Sequence, residues 1–160
     1  MARPVQIWLA ISHHAAFRVG GWAYARSDGA SVTGHAGGER RIGAERAALA
    51  GLIAALRSPG GAAQPIQVHT TSALAAAVPA RIKAAQAGEN PPTENLDLWA
   101  QAIAALAGGS VQIVQAPQTA GTPSAFAAAW ADLARDKAKD KGSFTAPIPK
   151  SNLAKAGVEA

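Results

Sequence analysis

The apolar pattern of this chain opens with three strand-like segments in a row and only then turns helical. That order restricts the fold more than any single residue does. Val5–Ile11 is a short apolar run rich in strand formers and reads as a buried strand. His13–Val19 reads as a connecting loop, and Gly20–Arg26 as a second strand that starts at a close-packed glycine pair. Ser27, Asp28 and Gly29 form a hairpin signal, followed by a third strand over Ala30–Arg40. From Ile42 to Arg57 the period changes. Leu49, Leu52, Ile53 and Leu56 fall at i, i+3, i+4 and i+7, the apolar stripe of a helix. Ser58–Gly61 stops it.

The rest alternates. Pro65–Thr70 reads as a fourth strand, and Ser72 can cap a short helix that Pro79 interrupts. Gly88–Thr93 is a Pro-rich loop, and Glu94–Ala107 a helix that Gly108 and Gly109 end. Ser110–Gln115 reads as a fifth strand and Pro123–Lys139 as a long helix. The fold class is α/β. A hairpin meander forces antiparallel pairing, while strands that follow helical crossovers join in parallel. The expectation is a five-stranded mixed sheet with helices on both faces, spanning residues 1–139. Residues 140–160, with turn formers and two prolines, read as a basic, mobile tail.

Composition narrows the classes. With 49% hydrophobic and 16% charged residues, the chain can bury a core and is not globally disordered. Without a cysteine it has no disulfide, thiolate metal site or cysteine nucleophile. No apolar run approaches the roughly 20 residues of a membrane span, and no secretion signal opens the chain, so a cytoplasmic protein is expected. The net charge is +5. From Arg135 onward six basic and three acidic residues give +3, which leaves +2 for residues 1–134. The C-terminal part therefore carries the attraction to phosphate, which does not depend on base sequence.

Several motifs stand in a recognisable order: Val5–Ser12, Gly20-Gly21-Trp22, Glu45 at the head of the apolar helix, Thr70-Thr71-Ser72, Asn95-Leu96-Asp97-Leu98-Trp99, and Asp132-Leu133-Ala134-Arg135. Over residues 5–139 this layout resembles type 1 ribonuclease H. The resemblance implies a ribonuclease H-like fold. It also implies a site in which four carboxylates hold two divalent metals and cut the RNA strand of RNA–DNA hybrids, since paired hard cations need anionic oxygen ligands. Matched residue by residue, this chain departs from that site. Ala10 stands where the first aspartate would, Thr71 where the third would, and Ala131 (or Ala129, by the other alignment) where the fourth would. Only Glu45 is kept. The family's loop histidine is matched by Gln118–Gly121, with no histidine. Hybrid-contacting positions also differ: Ala16, Arg41, Ile42 and Ala73 replace amide side chains, and the basic handle shrinks to Ala80–Gln86, with Arg81 and Lys83 but no Trp.

Other residues invite chemistry but read better as framework. His13, His14 and His69 lack ligands at metal-binding spacing. Gly34–Gly38 contains a Gly-His-Ala-Gly run and reads as a turn. Ser12, Thr71 and Ser72 have no histidine–acid partner and read as caps or turns. Trp8, Trp22, Trp99 and Trp130 read as core, with Trp130 the one to examine for base stacking. Glu45 also suits the first turn of a helix on electrostatic grounds alone.

The sequence thus points to a catalytically silent ribonuclease H-like domain, a pseudoenzyme retained for binding. No metal and no cofactor is expected. The partner is nucleic acid (hybrid, RNA or DNA, bound weakly and non-specifically) or a protein, with no membrane involved. Arg18, Arg40, Arg41, Lys137, Lys139 and Lys141 are the candidate nucleic-acid contacts. Two alternatives stand beside this: residual or altered metal-dependent hydrolysis using Glu45, Asp132 and a histidine, and an interaction module that docks through an arm at 140–160.

Overall fold

In the computed structural model, residues 4–57, 65–107, 111–117 and 122–158 are described. The expected stops at Ser58–Gly61 and at Gly108-Gly109, and the Gln118–Gly121 match, lie outside them.

The meander forms as the turn signals require. β1 (Val5–His14), β2 (Val19–Ser27) and β3 (Val32–Arg40) pair antiparallel in sequence order. α1 (Ala44–Leu56) then crosses over to β4 (Ile66–Thr70), which joins β1 in parallel. Two short helices, α2 (Ala73–Ala76) and α3 (Val78–Gln86), lead to α4 (Leu96–Ala107), and β5 (Val111–Gln115) joins β4 in parallel. The break between α2 and α3 falls at Ala77, not at Pro79, which sits in the first turn of α3, where its missing N–H costs nothing. α5 (Pro123–Lys141) covers the opposite face. No helix among the described residues is long and apolar enough to cross a membrane.

The structure corrects the sequence reading at three places. The sheet has six strands, in the order β5-β4-β1-β2-β3-β6, because β6 (Phe144–Pro147) adds to the edge of β3. The segment read as a mobile tail therefore carries a strand and the short helix α6 (Lys150–Leu153). Ile148, Leu153 and Ala156 are buried, so its strand edge and apolar side chains are used on the chain's own sheet. β1 continues through His13 and His14, which pair with Gly20 and Val19. Gly34–Gly38 lies within β3 and is not a turn. Its glycines admit close neighbours: a side chain on Gly37 would meet the Trp22 ring, and one on Gly38 would meet Ala134 and Ala138 of α5.

Strand alternation splits the core in two. One side of the sheet meets α1 and α4 through large side chains, among them Ile7, Leu9, Trp22, Leu49, Leu52 and Trp99. The other meets α5 through small ones. Ala10, Ala23, Ala36 and Ala146 stand in register across β1, β2, β3 and β6, opposed by Ala127, Ala131 and Ala134.

Candidate nucleic-acid interface

The positions matched by sequence to metal ligands hold the following groups. Ala10 and Ala131 are 3% and 1% exposed and belong to the same alanine cluster between sheet and α5. Thr71 directly follows the last parallel pair, Leu9 with Thr70, and so stands level with Ala10 on the neighbouring strand. Ala129, the other alignment of the fourth position, is exposed on α5. Two dications need several anionic oxygens in a small space. Two buried methyl groups, a neutral hydroxyl and one carboxylate do not fit that need, and among the described residues no cluster of three His, Asp or Glu could hold an ion.

The one carboxylate, Glu45, is already engaged. Arg81 of α3 donates to its Oε1, and Asn95 donates from Nδ2 to its Oε2 at 3.0 Å. The Arg81 guanidinium also lies 4.7 Å from the centroid of the Trp99 ring. Partial burial pushes the Glu45 carboxyl up, but the Arg81 and Asn95 hydrogen bonds and the guanidinium charge together outweigh it and hold the group below its ordinary value. Asn95 adopts a left-handed backbone with φ of 57°. Its oxygen faces Arg46, which grips Asp97 with two hydrogen bonds of 3.2 Å. The Asn95–Trp99 motif thus ties the start of α4 to the start of α1. Arg81 as the partner of Glu45 had no sequence signal, since 36 residues separate them.

Asp132 does not join Glu45. It accepts from Ser12 Oγ at 2.6 Å, while Arg135 Nη1 donates to the same Oγ at 2.9 Å, which locks α5 to β1. Ser72 caps α2 by accepting from Ala75 N. The histidines are placed elsewhere: His13 against the Ile42 carbonyl, His14 beside Phe17, His35 at Tyr24, and His69 against Gln6 and stacked with Trp8. Among the described residues no histidine hydrogen-bonds to Glu45 or Asp132. Trp22 and Trp99 are core, as expected, whereas Trp130 is half-buried beside Phe126.

The basic residues divide. Arg18 precedes β2, whose first residue pairs with Arg40; Arg41 follows at once, and the Ile42 amide donates to the Arg18 carbonyl. All three are exposed at one end of the sheet. α5 arrives at the same end, where Lys139 Nζ lies 3.7 Å from the Phe17 ring centroid. Just beyond Lys141 the Arg40 amide donates to Ser143 Oγ. Lys137 points away, over Phe144 at 4.6 Å. Arg57 is bonded to Gln101 and Arg81 to Glu45, so each is engaged with a neighbouring side chain. The sequence reading missed Phe17, whose signal was an aromatic among small residues in a turn, next to an arginine.

No family model and no curated protein matches the sequence. Solved structures do match. One is the N-terminal RNase H domain of a Mycobacterium tuberculosis protein, solved as a fusion with maltose-binding protein. It is 20% identical with a TM-score of 0.64, over 86% of this chain and 96% of that one. Another is LC9-RNase H1, described as a type 1 RNase H with the type 2 active-site motif. It is 20% identical with a TM-score of 0.68, over 96% of this chain and 81% of that one. The fold is that of ribonuclease H.

Proposed function

We propose that this chain is a ribonuclease H-like domain without metal-dependent nuclease activity, retained to bind nucleic acid at the basic end of its sheet. One observation carries the first half: of the four positions matched to metal ligands only Glu45 is acidic, and its carboxylate is held by Arg81 and Asn95. A dication there would have to displace a guanidinium and gain no second carboxylate in return. The hydrolytic alternative is disfavoured because Glu45 and Asp132 serve different helices and meet no histidine. Support for the second half comes from Arg18, Arg40, Arg41 and Lys139, which are exposed together where β1 ends, the side of an open α/β sheet on which ligands gather.

Incubating the purified chain with an RNA–DNA hybrid in Mg²⁺ or Mn²⁺ tests the chemistry. No cleavage is expected. Metal-dependent cutting that disappears in Glu45→Ala would overturn the proposal. The double variant Arg40→Ala/Arg41→Ala tests the surface: affinity for any probe should fall, with a shallower salt dependence. Truncation at residue 140 is the wrong test, because it would strip β6 from β3.

A further inference from the structure

We infer that the turn between β1 and β2 is a stacking site for single-stranded nucleic acid, with Phe17 as the platform. This rests on the binding half of the proposed function and names its ligand class. Phe17 is 57% exposed at the tip of the turn. The side chain belongs to neither core cluster, yet its ring is held in place. Lys139 sets its ammonium 3.7 Å from the ring centroid, and the His14 ring stands 4.8 Å away, tilted by 42°. At that distance the α5 cation stands over one face of the ring, so a base that takes its place gains the π-face and frees the ammonium for the adjoining phosphate. Arg18, Arg40 and Arg41 continue the positive charge along the sheet end. Of the carboxylates on the neighbouring stretch of α5, Asp136 is paired with Arg135, which leaves Asp140 as the local opposing charge.

The choice of single strand follows from where base faces are available. In a duplex they are used on neighbouring bases, and a protein reaches phosphates and groove edges only. In an unpaired strand each base offers a face, and a stacked contact tightens binding whatever the base. A turn that presents a ring beside cations, with no amide side chain to read an edge, suits that ligand.

The test compares anisotropy titrations of the full chain with three probes of equal phosphate count: oligo-dT, an abasic strand and a duplex. Oligo-dT should bind at least about tenfold more tightly than the abasic strand. Phe17→Ala should abolish that margin and leave the salt slope unchanged, and Phe17→Trp should keep it. Lys139→Ala should lower the slope by about 0.7, one phosphate on a single strand. Oligo-rU in place of oligo-dT should bind alike, since stacking ignores the sugar. Equal affinity for oligo-dT and the abasic strand, or no effect of Phe17→Ala, would overturn this inference while leaving nucleic-acid binding intact. No binding of any probe at low salt would overturn both.

Discussion

The two faces of the sheet are packed by opposite means. Toward α1 and α4, the core is made of large side chains that interlock, such as Leu49 and Leu52, both at 0% exposure. Toward α5, it is made by bringing backbones close: a Cβ added at Gly21 would stand 2.5 Å from the Ala131 carbonyl. The first face draws its stability from apolar area and suffers when atoms are removed. The second draws it from close approach and suffers when atoms are added. The difference bears on function, because Ala10 and Ala131 both lie on the second face. There, a closed interface of small residues stands where the resemblance to ribonuclease H would place carboxylates.

The largest effect should come from returning one of those carboxylates alone. Ala131→Asp would bury a charge whose cation one turn on, Arg135, is already taken up by Ser12, Asp132 and Asp136, and cost roughly 3–5 kcal/mol, read as a drop in denaturant midpoint. A stable Ala131→Asp would mean the α5 face is looser than its packing implies. Next comes the opposite operation on the opposite face. Leu52→Ala should cost about 2–5 kcal/mol through lost contact and a residual cavity. Gly21→Ala should cost about 1–3 kcal/mol, and more than Gly51→Ala. The reason is that Gly21 meets the backbone of α5, whereas Gly51 meets the Ile11 and Trp22 side chains. Reversal of that order in thermal melts would break the comparison between the faces.

The smallest effect is electrostatic. Glu45 is partly exposed, at 29%, so its pair with Arg81 is worth about 1 kcal/mol or less. Its carboxyl is held below the ordinary value. The pair therefore stabilises the fold above a pH of about 4.3, the ordinary glutamate value, and the contribution is lost as pH falls through the folded value. Glu45→Gln should be slightly less stable at neutral pH and should flatten the acid limb of the stability curve. An unchanged acid limb would show the pair to be energetically silent.

The meander, the α1 stripe and the parallel β4 and β5 were legible because period and turn chemistry are local. β6 was not, because Phe144–Pro147 is short, contains a proline and alternates only weakly. What makes it a strand is the free edge of β3, which no window of sequence contains. The Gly34–Gly38 run looked like a turn because glycine is read by its flexibility, whereas in β3 its use is the missing side chain under Trp22 and α5. The identities at the candidate site were legible residue by residue. The clamp on Glu45 was not, since Arg81 reaches it from α3 and Asn95 from the residue just before α4.

On the reading proposed above, the ribonuclease H framework here carries no metal pair. The most direct measurement is a Mn²⁺ titration of the isotopically labelled chain, followed by paramagnetic broadening of its amide signals. No saturable, localised broadening is expected around Ala10, Glu45 and Thr71 at millimolar Mn²⁺. Stoichiometric broadening centred on those three residues, and lost in Glu45→Ala, would contradict it.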